Sequence, residues 1–161
     1  MNEQWEKLST ELATRLSARG IMLATAESCT GGWVAKVLTD LAGSSAWFER
    51  GFVTYSNAAK QEMLGVDPLS IEQYGAVSEA TVSEMATGAI VHSQAGAALS
   101  ISGIAGPGGG SAEKPVGTVW FAWAIKGQAV QTRCCQFPGD RDAVRQQAVE
   151  TALQGMVDLL G

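Results

Sequence analysis

The 161-residue chain has one histidine, and its three cysteines, Cys29, Cys134 and Cys135, form no Cys-x-x-Cys pair. A zinc site of the usual ligands and a disulfide framework are both excluded on that ground. Neighbouring Cys134 and Cys135 would point to opposite faces of a strand, and an odd count of thiols suits a reducing compartment. Clustered positive charge is also missing: 11 Lys+Arg stand against 16 Asp+Glu, a net −5 with no basic run. Phosphate backbones and anionic lipid surfaces are held by dense cationic patches, so neither nucleic acid nor a membrane is an expected partner. Any anion this chain binds should be small and locally recognised. Long apolar runs are absent too. The longest, Val119 to Ile125, is far short of the roughly 18 residues a membrane helix needs, and the start "MNEQWEKLST" has no apolar signal core. A cytoplasmic, soluble protein is expected.

What the chain does have is 46% hydrophobic residues and five tryptophans. A single domain spanning 1–161 should bury roughly 70% of the surface its unfolded chain exposes. Trp5, Leu8, Leu12 and Leu16 recur at helical spacing before Gly20, which predicts an N-terminal amphipathic helix. "IMLATA" reads as a buried strand and 32–41 as a helix; "AWFERGFVTYS" is a second strand, 57–64 a short helix opened by Ser56 or Asn57, and 68–74 another helical turn. Ser78 precedes a helix to about His92, "AALSIS" is a third strand, and "GIAGPGGGSAEKP" is a loop. Strands over 116–125 and 128–137, joined tightly at Lys126-Gly127, predict an antiparallel hairpin, and Asp140 opens a closing helix. Strands interleaved with helices plus one hairpin give an α/β class: a three-layer α/β/α domain on a mixed, mainly parallel sheet.

Three loops at strand ends carry chemistry, which is where α/β folds collect ligands. In "ATAESCTGG", Ser28 or Thr30 either caps the following helix or supplies a nucleophile, with amides near Gly31 and Gly32 holding the oxyanion. Cys29 is the competing nucleophile, and the stretch is not the Gly-x-Ser-x-Gly elbow of α/β-hydrolases. A base is then needed. His92 ends a helix, where the dipole alone accounts for it. Lys60 of "VTYSNAAK" falls in a first helical turn with no acidic partner three or four residues away, and burial would lower its pKa toward that of a usable base; exposure to solvent is the plain alternative. The loop after the third strand, from Ser102 and Gly103 through Gly106 to Gly110, lacks Gly-Lys-[Ser/Thr] and is no Walker loop; it is either a flexible connection or a row of amides lining a small-ligand pocket, with Ser102 adding a hydroxyl. In "PGDRDAVR", Arg141 and Arg145 lie four apart on one helical face, either offset by Asp140 and Asp142 or paired on a phosphate or carboxylate.

"AESCTGG", "GFVTYSNAAK", "GAVSE", "SGIAGPGGG" with "KPVGTVWFA", and "GDRDAVR" follow one another in this order. With these motifs the chain resembles the CinA carboxy-terminal-domain family from about Trp5 to Leu160, and most of all its stand-alone amidohydrolases. The resemblance implies hydrolysis of the carboxamide of nicotinamide mononucleotide to nicotinic acid mononucleotide and ammonia, in pyridine-nucleotide recycling, without metal or organic cofactor. It implies Ser28 as nucleophile, Lys60 as its base and Tyr55 assisting. Thr30, Gly31, Gly32, Ser102, Gly103, Gly106, Arg141 and Arg145 would face the substrate, with the phosphate assigned to Arg145. Ser102 stands where relatives often carry threonine. The family's longer members have a further amino-terminal domain, which this chain is too short to hold, and the resemblance favours a homodimer. An amidase for another small amide and a silent nucleotide-binding module are the rival readings.

Overall fold

A computed structural model describes residues 2–161, and local chemistry accounts for most element boundaries. Helix α1 (Glu3–Arg19) is opened by Asn2, whose side chain accepts from the Trp5 amide, and closed by left-handed Gly20. Strand β1 (Leu23–Glu27) is buried along its whole length. It leads into α2 (Trp33–Thr39), and β2 (Phe48–Val53) leads into α3 (Asn57–Leu64). Ser56, not Asn57, caps α3 by accepting from the Ala59 amide. Asp67 and Pro68 start α4 (Pro68–Tyr74), and Ser78 caps α5 (Glu79–Val91). Strands β3 (Ala97–Gly103), β4 (Thr118–Ile125) and β5 (Gln131–Gln136) follow, then α6 (Arg141–Leu160), capped by Asp140.

The five strands form one sheet in the order β2-β1-β3-β4-β5. Strand β1 runs parallel to both neighbours, while β4 is antiparallel to β3 and to β5. Four strands therefore share a direction and β4 alone is reversed. Helices α1, α2 and α6 cover one face, packing Leu8, Val34 and Val144 against Leu99, Ile101 and Phe121. On the other face α3 and α5 pack Leu64, Val82 and Met85 against Ala24, Ala26 and Ala98. Three layers around a mixed sheet agree with the sequence reading.

The hairpin differs from expectation. A turn closes at Gln128 N to Ile125 O, but ladder pairing resumes only at Trp123 with Gln131, so residues 126–130 form a wider connection than a two-residue turn. The Lys126 amide donates to Gly96 O, and Val130 packs against the α5 side of the sheet; both hold the chain off the ladder.

Helices α3 and α5 approach closely at Gly88, where an added Cβ would meet the Leu64 carbonyl oxygen at 2.0 Å. Backbone cannot yield as a flexible side chain would, so Gly88→Ala should push α3 away. We expect a loss of about 1–3 kcal/mol in denaturant unfolding. Because α3 carries Lys60, a loss of turnover larger than the loss of folded protein should accompany it.

Candidate active site

The site begins with a buried carboxylate. Glu27 ends β1, and its side chain turns under the start of α2: Oε1 accepts from Val34 N at 2.8 Å and Thr30 Oγ1 at 2.7 Å, and Oε2 accepts from Ala35 N at 3.0 Å. The α2 N-cap position is Gly32, which has no side chain to offer. Glu27 thus does the capping from outside the helix, satisfying two amides that would otherwise lack an acceptor. Neither Ser28 nor Thr30 is the cap that the sequence allowed. Thr30 donates to Glu27, and Ser28 is left free for something else.

Ser28, Thr54 and Ser102 are adjacent across the sheet, each one residue past the ladder positions Glu27, Val53 and Ile101. That register places them on the α3/α5 face, at the carboxyl ends of three parallel strands. Lys60 reaches this row from α3 and is only 1% exposed. Its Nζ lies 3.1 Å from Ser28 Oγ, 3.1 Å from Thr54 O and 3.2 Å from Tyr55 O. Among the described residues no carboxylate pairs with it, and burial lowers its pKa from the ordinary 10.5, partly opposed by Cys29. A neutral amine has two N–H bonds and one lone pair. The two carbonyls take the two N–H groups, and the lone pair remains for the Ser28 hydroxyl. This arrangement can deprotonate a serine.

Its competitors are poorly placed. The Cys29 thiol is buried and pushed up to about 11 by desolvation, which leaves it protonated near neutral pH. His92 terminates α5 with Nδ1 against Gly88 O at 2.9 Å, beside a separate hollow of about 330 Å³ lined by Leu64, Gly65 and Val91. Tyr55 divides its groups: its carbonyl faces Lys60 and Ser28, while its phenol is exposed and accepts from Arg141 Nη2 at 3.1 Å.

A cleft of about 490 Å³ is walled by Ala105, Pro107 and Val116 and bordered by Arg141 and Arg145; no residue of the row lines it, and these arginines link it to the site through Tyr55 and Cys29 O. The two arginines are not equivalent. Arg145 donates Nε to Cys29 O at 3.1 Å and Nη2 to Thr30 O at 3.4 Å, and its guanidinium lies over the Trp33 ring. Arg141 donates Nη1 to Gly106 O at 2.8 Å. Asp140 and Asp142 do not offset it, being engaged with the Ala143 amide and Gln146. The Ser102 hydroxyl makes no hydrogen bond among the described residues. Gly103 has a packing reason, since a Cβ there would meet Val119 Cγ2 at 2.7 Å. Gly31 donates its amide to Ser28 O at 3.0 Å and so is committed, whereas the Gly32 amide has no acceptor among the described residues. Nor do three or more His, Cys, Asp or Glu side chains there gather as a metal site. The sequence reading missed the roles of Glu27 and Trp33; a charge closing an apolar strand six residues before a helix was the available signal.

Comparison with known proteins bears on this geometry. The family model for the CinA C-terminal domain matches residues 5–160. The nicotinamide-nucleotide amidohydrolase PncC of Escherichia coli (strain K12) is 63% identical over 149 residues, covering 92% of this chain and 90% of the relative. That of Pseudomonas putida is 51% identical, covering 94% of each. The crystal structure of competence/damage inducible protein CihA from Agrobacterium tumefaciens superposes with a TM-score of 0.97 at 44% identity, over 100% of this chain and 98% of that one.

Burying Lys60 without a countercharge has a stability consequence with a definite sign. Its folded pKa is lowered, so between that value and the unfolded 10.5 the unfolded chain holds the extra proton and stability rises with pH. Lys60→Met should therefore stabilise the fold at neutral pH, and the gain should shrink as pH approaches the unfolded value. Each kcal/mol recovered should raise the melting midpoint by roughly 2–4 °C, measured by calorimetry across pH. Ser28→Ala should leave the midpoint nearly unchanged, since Ser28 caps nothing.

Proposed function

Because the chain belongs to the CinA C-terminal-domain family, we propose that it hydrolyses the carboxamide of nicotinamide mononucleotide to nicotinic acid mononucleotide and ammonia, through Ser28 and Lys60. The relatives' activity supports the substrate. The observation that carries the chemistry is the Lys60 amine, buried beside Ser28 between two carbonyl oxygens.

Neutral Lys60 takes the Ser28 proton as Oγ attacks the carboxamide carbon, forming a C–O bond and a tetrahedral oxyanion. Uncommitted amides of the Ser28 turn, Gly32 among them, hold that oxyanion. Lys60, now an ammonium, returns the proton to the leaving nitrogen as the C–N bond breaks, releasing ammonia and leaving an ester on Ser28. Water, deprotonated by the same amine, then cleaves the ester and restores the hydroxyl. The cleft bordered by Arg141 and Arg145 takes the ribose phosphate. Arg141 suits the phosphate better than Arg145: both line the cleft and neither pairs with a carboxylate among the described residues, but Arg145 is tied to the Ser28 turn and lies over the Trp33 ring, whereas Arg141 meets Gly106 O and the exposed Tyr55 phenol. Tyr55 Oη orients Arg141, and Ser102 offers its free hydroxyl beside the nucleophile.

Purified protein given nicotinamide mononucleotide should release ammonia; no release above blank would favour a silent binding module, and release from other small amides in preference would favour the rival amidase. Ser28→Ala should abolish turnover, and Cys29→Ala should keep most of it. Lys60→Arg, which stays charged, should fail as badly as Lys60→Ala, while wild-type activity should rise with pH through the lowered lysine pKa. Removing a charge-assisted phosphate contact costs roughly 1.5–3 kcal/mol, a ten- to hundredfold effect. Arg141→Ala should accordingly raise KM for the mononucleotide by that factor and leave the riboside and free nicotinamide unaffected; Arg145→Ala should slow all three alike. The reverse pattern would return the phosphate to Arg145.

A further inference from the structure

Resting on the Ser28–Lys60 reading, we propose that the peptide unit joining Cys29 to Thr30 supplies the principal oxyanion donor, with Arg145 and Glu27 as the residues that position it.

Three amides follow the nucleophile before Gly32. Gly31 N–H closes the turn on Ser28 O, and the Ser28 amide itself donates to Ile101 O at 3.0 Å. The Cys29 amide is likewise without an acceptor among the described residues, on a residue less deeply buried than Thr30 (6% against 1% exposed). Thr30 N–H has no acceptor among the described residues, although Thr30 is only 1% exposed. A buried amide left unpaired is exceptional in a folded protein and calls for a ligand.

Its direction follows from peptide planarity. In a trans peptide the C=O and the next N–H point opposite ways. The Cys29 carbonyl accepts from Arg145 Nε at 3.1 Å, and Arg145 stands on α6, in the layer with α1 and α2. Thr30 N–H therefore points away from that layer, toward the side of the sheet where Lys60 and the Ser28 hydroxyl lie. A cation on the carbonyl end also polarises the peptide and strengthens its N–H as a donor. At the other end, the Thr30 hydroxyl is tied to Glu27, whose carboxylate is in turn fixed by the Val34 and Ala35 amides. Residue 30 is thus held by a cation on one side and an anion on the other. Stacking over Trp33 keeps the guanidinium in place. The Val34 and Ala35 amides at the α2 start cannot serve, because Glu27 already accepts from both, which leaves Gly32 N–H as a secondary donor beside Thr30.

Replacing Thr30 by its α-hydroxy analogue turns the Cys29–Thr30 amide into an ester and deletes this N–H while keeping the side chain. With nicotinamide mononucleotide as substrate, kcat should fall by roughly 10²- to 10³-fold, with KM within about twofold. The same exchange at Gly31 should lower the melting temperature but cost far less in kcat. Arg145→Met should lower kcat at unchanged KM. Thr30→Ser, which keeps the bond to Glu27, should retain activity that Thr30→Val loses. A Thr30 ester whose kcat stays within about threefold of wild type would overturn the inference, as would full activity in both Arg145→Met and Thr30→Val should the ester variant not fold. Wild-type protein that releases no ammonia would instead sink the underlying reading.

Discussion

A primary amine held between two backbone carbonyls and a hydroxyl, with no carboxylate near it, is the constraint on which this site depends. An ammonium in that position would be buried without a countercharge, which folding disfavours strongly. The fold tolerates Lys60 because the cost falls on one protonation state only. As a neutral amine it satisfies Thr54 O and Tyr55 O and keeps its lone pair for Ser28. The same desolvation that makes the residue expensive lowers its pKa, which is the direction a lysine base requires. Stability and reactivity are opposed at one atom.

The rest of the architecture places partners around that amine. Parallel β1, β2 and β3 end together, bringing Ser28, Thr54 and Ser102 into one row, and α3 leaves β2 through a three-residue link that carries Lys60 back over it. Close packing of α3 on Gly88 of α5 fixes the height of that helix above the sheet. From the end of β1 Glu27 caps α2, and from the opposite layer Arg145 holds two carbonyls of the Ser28 turn. A turn braced from both sides needs little reorganisation when charge develops on a substrate oxygen, which is the condition under which fixed dipoles are most effective.

Much of this was legible in the sequence, for reasons that differ by residue. Helix starts at Ser56, Ser78 and Asp140 were readable because side-chain caps are local. The sheet class followed from alternation of strands and helices. The wider connection after β4 was not legible, because it is set by Lys126 bonding to Gly96, a contact 30 residues away. Lys60 was readable as a helix-start lysine without an acidic partner, but its burial depends on tertiary packing. The different surroundings of the two arginines were not legible for the same reason: residues four apart share a helical face, yet only the folded chain shows that Arg145 meets the Ser28 turn and Arg141 meets Gly106 and Tyr55. Glu27 was visible as a carboxylate and invisible as a cap, since helix caps are sought next to the helix and this one acts from the preceding strand.

The proposed reaction stands or falls on covalent acylation of Ser28. Acid-quenching the wild-type enzyme during turnover of nicotinamide mononucleotide, followed by peptide mass spectrometry, tests it most directly. The peptide containing Ser28 should carry a nicotinoyl nucleotide ester, lost in Ser28→Ala and retained in Cys29→Ala. Steady ammonia release with no adduct, even at the earliest quench times and at acidic pH where deacylation slows, would contradict it, as would an adduct carried by Cys29.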